Sequence, residues 1–413
     1  MEQTKGKGQG VRRAVDTTRH HRENGWDYRG RAVYHFTFPV EGRFPLFGTL
    51  EGESAERAFI KLNPFGYRVY QILCGLPQFY AAKGFALKVL AQKVMPDHIH
   101  LVIQVLEPLS QSIGAVVRGF KSACTMVYKQ EFLSCGENAA EVHSIANRQG
   151  NATEVHSIAN RQGNAAEVHG RASQQGNAAA LMHFARIFAN RNSIWQQDAA
   201  YYHERILHAP GQLNRMINYV KDNPRRLWLK KNNPDLFRLH RHTEMCGLSF
   251  TSLGNHFLLD WHDNQTVEMP RNATVEQVQK RLQLAMAAAQ NGAVTYTAAI
   301  SKGEQLIART LRKQGYPLVV LLSDGFPKEG SPHERFYKPG GIYFEACSKG
   351  QLLLLEPTEQ TFLNADIQSA VEETLRRKAA GRHYGYKQIP LKSQRYRFVA
   401  LNEIAKRLAR IER

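Results

Sequence analysis

The 413-residue sequence contains no apolar run near the ~20 residues that a membrane-spanning helix requires, although 43% of it is hydrophobic. Its polar start, MEQTKGKGQG, does not read as a secretory signal. The expectation is a cytoplasmic protein without a membrane partner. Cysteine is scarce as well. Cys74, Cys124, Cys135, Cys246 and Cys347 are odd in number, scattered, and never paired as CxxC, which argues against a disulfide framework and against a thiolate zinc site. Acidic residues are in deficit: 36 Asp and Glu face 55 Lys and Arg, a formal net charge of +19. That imbalance points to a polyanionic partner, nucleic acid above all.

The chain exceeds the usual size of one domain, so two compact units with connecting sequence are expected. Residues 1–29 are polar and basic and read as a flexible arm able to lie on a phosphate backbone. From YHFTF, beginning at Tyr34, strand and helix patterns alternate to about Asn232. An insert over 136–179 interrupts them. It carries three copies of a 13-residue repeat, NAAEVHSIANRQG, NATEVHSIANRQG and NAAEVHGRASQQG, spanning Asn138 to Gly176. Each unit is too polar to make a core. His143, His156 and His169 each stand alone in their unit without partners at ligand spacing, so a looped-out, dispensable insert is expected rather than a metal site.

The segment KVMPDHIHLVIQVL carries the most chemistry. Strand alternation places His98, His100 and Val102 on one face and Ile99, Leu101 and Ile103 on the other. Neutral imidazoles a strand step apart can chelate one divalent ion, with positions left for an oxygen ligand and for phosphate oxygens of a substrate. Downstream, PGQLNRMINYVKDNPRRLW reads as an amphipathic helix opened by Pro210 and Gly211 and stopped by Pro224, with Leu213, Met216, Ile217 and Val220 as its apolar stripe. Tyr219 and Asn223 are spaced i, i+4 and share a face beside that stripe.

Together, MPDHIHLVI and the later YVKDN resemble the histidine-hydrophobic-histidine (HUH) and tyrosine motifs of single-tyrosine transposases from insertion sequences and their REP-associated relatives. The resemblance covers residues 30–232 apart from the insert. It implies an α+β, ferredoxin-like or RRM-like nuclease domain with an antiparallel sheet. By the same resemblance His98, His100 and Asn223 would hold a divalent metal, Mg2+ or Mn2+, and Tyr219 would be the nucleophile. The product would be a 5′-phosphotyrosine, from which a second DNA 3′-OH can rejoin strands without ATP. A phenol is protonated at neutral pH, its pKa being about 10, and the sequence identifies no base for it. Single-stranded or hairpin DNA is the implied partner. Candidate DNA contacts are Arg118 and Lys121, off the apolar face of the helix PLSQSIGAVVRGFKSACTMVYKQEF, and Arg225 and Arg226; Tyr201, Tyr202 and Trp228 are candidates for base stacking. Trp195 in Ser193-Ile194-Trp195-Gln196 resembles the family's tryptophan strand ahead of the catalytic helix and is expected to pack. Monomer and strand-swapped homodimer both stay open.

Residues 236–413 lie outside the resemblance to the transposases. The order AVTYTAAI, helix, YPLVVLLSDG, then GQLLLLEP favours a parallel sheet with helices packed on it, a second, Rossmann-like α/β domain. It loosely resembles LOG-type nucleotide-processing proteins but lacks their phosphate-binding glycine run. Ser301-Lys302-Gly303-Glu304 opens a helix, and either a plain helix start or an anion site is open there. The tail, which contains SQRYRFVALNEIAKRLARIER, mixes aromatics with cations and is expected to add DNA affinity. Three functions compete: a transposase or its domesticated descendant, an HUH replication or relaxation initiator, and a non-catalytic regulator that binds DNA hairpins. The sequence shows neither the fused helicase nor the second catalytic tyrosine that would favour the initiator.

Overall fold

In the computed structural model, residues 23, 25–133, 193–196, 203–327, 341–379, 390–391 and 393–410 are described. Most of the expected arm, the repeats with His143, His156 and His169, and Tyr201 and Tyr202 lie outside them. The chain divides into two compact units, Asp16–Trp228 and one built on Leu229–Arg413.

The first unit is a four-stranded antiparallel sheet in the order β4-β5-β1-β6. Its strands are β1 (Ala32–Pro39), β4 (Leu87–Val94), β5 (His98–Val105) and β6 (His203–Ile206). A hairpin of β2 (Gly48–Glu51) and β3 (Phe59–Leu62) leads into α1 (Pro64–Ala81), and α2 (Ile113–Val127) follows β5. The alternation read from the sequence puts Tyr34, Phe36 and Phe38 of β1 and Ile99, Leu101 and Ile103 of β5 in one core. Ile113, Val116, Val117, Phe120 and Cys124 of α2 and Val69 and Leu73 of α1 close that core. Each such side chain contributes about 1.5–3 kcal/mol by leaving water.

Helix α1 runs for 18 residues. Asn63 caps it by accepting from the Gly66 amide, and Pro64 occupies the first turn, where no backbone donor is needed. Glycine is required at position 66, because a Cβ would sit 1.9 Å from the Phe47 carbonyl oxygen. Two expectations need correction. Trp26 and Tyr28 do not belong to an arm: both pack on the core, and the Trp26 indole donates to the Tyr34 hydroxyl. Pro224 does not end helical structure. The chain breaks at Asp222 between α3 (Gln212–Lys221) and α4 (Asn223–Asn232), and Pro224 sits in the first turn of α4, where a proline is tolerated.

The second unit holds a six-stranded sheet in the order β7-β8-β12-β11-β10-β9. Strands β9 (Asn264–Thr266), β10 (Val294–Thr297), β11 (Leu318–Leu321) and β12 (Leu352–Pro357) are parallel. The hairpin of β7 (His240–Met245) and β8 (Leu248–Gly254) adds an antiparallel edge. Leu318, Val320, Leu352 and Leu354 point to one face with α5 (Val275–Gln290), α6 (Lys302–Lys313) and α7 (Gly341–Ser348). Val319, Leu321, Leu353 and Leu355 point to the other, with α8 (Glu359–Phe362), α9 (Ala365–Ala379) and α10 (Gln394–Ala409). Burial on both faces explains why these strands read as continuous apolar runs.

The described end of the basic tail, residues 393–410, joins this core. Helix α10 buries Tyr396, Ala400, Leu401, Ile404 and Leu408, and Arg397, Lys406 and Arg407 pair with Glu359, Glu268 and Asp366. The start of α6 favours the plain helix start over an anion site. Buried Glu304 forms a capping box with Ser301, and its carboxylate accepts from the amides of Met269, Ile300 and Ser301. The chain's own carboxylate fills the place that a bound anion would take.

Candidate active site

The hairpin joining β4 to β5 sets up the site. Pro96 and Asp97 form its tip, with the Met95 amide donating to the His98 carbonyl at 2.8 Å. Beyond it His98 and His100 emerge on the sheet face opposite α1 and α2. Their Nε2 atoms lie 3.1 Å apart and their rings are perpendicular. His98 Nδ1 is 2.5 Å from Asp97 Oδ1. Burial opposes a charged Asp97, but the hydrogen bond and charge of His98, with Arg43 at 3.7 Å, outweigh it and hold the carboxyl below its usual pKa. An ionised carboxylate only accepts, so His98 Nδ1 donates, and in the neutral ring Nε2 then carries the lone pair.

His100 is almost wholly buried, at 2% exposure. Thr37 stands directly across from it on β1, with Oγ1 3.0 Å from His100 Nδ1, and His35 Nε2 is 3.1 Å from the same nitrogen. On the other flank Lys93 of β4 is its cross-strand neighbour, with its ammonium pKa lowered by burial. Over this polar face lies α3. Val220 joins Val102 and Leu207 in a small apolar cluster, with Leu213, Met216 and Tyr219 packed on it. The Tyr219 ring therefore meets the imidazoles edge-on, its centroid 5.5 Å from that of His100 and 6.4 Å from that of His35.

Asn223, at the start of α4, is buried and donates through Nδ2 to the Tyr219 carbonyl at 2.9 Å, which leaves its oxygen as the ligand atom the amide could offer. Among the described residues no group of three His, Cys, Asp or Glu side chains is arranged to hold a metal. Among the described residues, a third ligand beside His98 and His100 would be of another kind, such as the Asn223 amide oxygen. The two imidazoles fit adjacent positions on one ion: ligands at about 2.0–2.1 Å and a right angle are about 3 Å apart.

The other sequence candidates are distributed differently. Arg226 is buried, at 6% exposure, and its guanidinium lies over the Tyr219 ring at 5.5 Å. Arg225 pairs with Asp222 at 2.6 Å. Arg118 and Lys121 lie on α2, behind the sheet from the histidines, and are not brought to them. Burial lowers the Lys121 ammonium to about 8. The Trp228 indole donates to the Gly52 carbonyl at 3.3 Å. Trp195 is core, bridging to Val40 and donating to the Lys121 carbonyl.

Sequence reasoning missed His35, Thr37 and Asp97. The first two were visible as the polar half of the alternation in YHFTF, but their meeting with His100 depends on strand register. Asp97 adjoins His98 in the sequence, but only the folded turn aims its carboxylate at the His98 ring.

An antiparallel sheet with paired imidazoles facing a helix-borne tyrosine defines a histidine-tyrosine site. Residues 75–145 match the family model described as transposase, IS200-like. The match is well short of half the chain; it includes His98 and His100 and stops before Tyr219. Through this segment the chain is similar to IS200-like transposases. No curated protein matches the chain. No described helix is long and apolar enough to cross a membrane.

Proposed function

We propose that this protein is a transposase that cuts and rejoins single-stranded DNA, hairpin DNA in particular, with Tyr219 as nucleophile. The observation that carries the reading is the approach of Tyr219 to His100, one of the imidazole pair, from a helix more than a hundred residues away in sequence. The β-α-β-β-α-β order of the first unit supports the ferredoxin-like reading of its fold, and the parallel core of the second supports the Rossmann-like one. Family membership of the matched segment and the net charge of +19 both favour a DNA substrate.

In this mechanism the Tyr219 oxygen attacks phosphorus, the bond to the 3′ oxygen breaks, and the departing 3′-OH takes a proton. The 5′ phosphate stays on Tyr219 until another 3′-OH attacks and restores the phenol. His98, His100 and the Asn223 oxygen would hold the ion. When bound, a divalent cation supplies charge neutralisation and orientation at the scissile phosphate. Asp97 keeps His98 in the tautomer that presents Nε2. Val220 and its neighbours seat α3 on the sheet and so set the approach of the phenol, while Arg226 packs over the ring.

The test is a denaturing gel of protein incubated with hairpin oligonucleotides drawn from the DNA flanking the gene. The parent is expected to form a covalent adduct. Tyr219→Phe should form none while binding DNA within a few fold. Undiminished adduct in Tyr219→Phe would sink the assignment, and binding without any adduct in the parent would favour a non-catalytic hairpin-binding regulator.

A further inference from the structure

His35 and Thr37 are buried polar groups that the chemistry above does not use. Strand β1 sends Tyr34, Phe36 and Phe38 into the core, so both residues between them project onto the histidine face. There they converge on one atom, His100 Nδ1, at 3.1 Å from His35 Nε2 and 3.0 Å from Thr37 Oγ1. Polar groups so deeply buried are costly unless satisfied, and these two are satisfied at the rear of His100.

That position has a chemical consequence. A neutral imidazole carries one proton, and a ring that offers its Nε2 lone pair must carry it on Nδ1. For His98 an acceptor-only carboxylate, Asp97, enforces this choice. At His100 the groups in the equivalent place are an imidazole nitrogen and a hydroxyl, each able to accept or to donate. We infer that His35 and Thr37 are positioning residues which hold the proton on His100 Nδ1, so that its Nε2 faces that of His98 as a lone pair ready for a divalent cation. The inference rests on the metal-binding part of the proposed function. It also gives the site two unlike supports: a charged one at the exposed ligand, and a neutral, duplicated one at the buried ligand, where a third charge would be costly to desolvate.

Mn2+ binding to the full-length protein without DNA, followed by electron paramagnetic resonance or calorimetry, tests the inference apart from catalysis. His98→Ala is the control that assigns the ion to this site. His35→Phe keeps a ring against Tyr219 but removes both nitrogens, and Thr37→Val removes only the hydroxyl. Each should weaken Mn2+ binding, the pair together by tenfold to a hundredfold, the range for outer partners of metal-bound histidine. His35→Asn, which restores an acceptor, should recover part of the loss; a purely packing role predicts no such recovery. If His35→Phe loses its cooperative thermal transition, Thr37→Val and its double variant with His35→Asn decide. Mn2+ bound as tightly by the variants as by the parent would overturn the inference, as would parent binding unaffected by His98→Ala. A His35-dependent Mn2+ affinity in a protein that forms no Tyr219-dependent adduct would instead overturn the transposase reading and leave the positioning role standing.

Discussion

The two sheets of this protein use their faces in opposite ways. In the second unit helices cover both faces, and polar groups at the strand ends are met from within: Glu304 takes three backbone amides, and Glu356 takes those of Gly325 and Phe326. In the first unit α1 and α2 cover one face, while the other carries His35, Thr37, Lys93, His98 and His100, with α3 packed over it among the described residues. The difference teaches where chemistry can reside. A face closed by apolar packing leaves no room for a substrate, whereas a polar face under a thin cover can admit a phosphate and still be held rigid from behind.

Several experiments would break or sharpen that contrast. The largest effect is expected on the open face: His98→Ala or His100→Ala should slow adduct formation about a hundredfold or more, as should chelation, with Mg2+ or Mn2+ restoring the chelated parent. DNA binding and its salt dependence should persist in these variants, because they rest on Lys and Arg contacts. Mutants that cleave at the parent rate in the presence of chelator would refute a chemical role for this face. A smaller loss is expected for Asp97→Asn, about tenfold in adduct rate, since the amide no longer fixes the His98 tautomer; an unchanged rate would mean the turn alone positions His98. In the closed sheet the expected effect is on stability. Glu304→Gln should cost about 1–3 kcal/mol in denaturant unfolding, since an amide cannot accept all three backbone hydrogens. Adduct formation should stay within about twofold of the parent if the two units are independent. The least effect is expected from deleting Asn138–Gly176, a repeat too polar to make a core. Thermal transition and cleavage should both survive, and loss of the cooperative transition would show that the repeats are structural.

Much of this was legible because period and spacing are local properties. The alternation in HIHLVI placed two imidazoles together whatever the sheet around them, and the stripe Leu213, Met216 and Val220 assigned the buried side of α3. Apolar runs such as YPLVVLL announced strands buried on both faces. Capping was less legible: Asn223 begins a new helix although its spacing from Tyr219 is that of one continuous helix. Pairing is not legible in a charge count: Arg397, Lys406 and Arg407 of the basic tail meet carboxylates far along the chain.

By itself, then, the sequence determined which side chains could act, since a histidine pair one strand step apart and a tyrosine beside a helical stripe are set by 2.0- and 3.6-residue periods. Tertiary structure alone decided their company. Strand register put Thr37 opposite His100 and His35 diagonal to it, and the seating of α3 on Val102 brought Tyr219 to both imidazoles. Register and seating are long-range outcomes of the whole core's packing, and a one-residue slip would turn every one of these side chains to the other face.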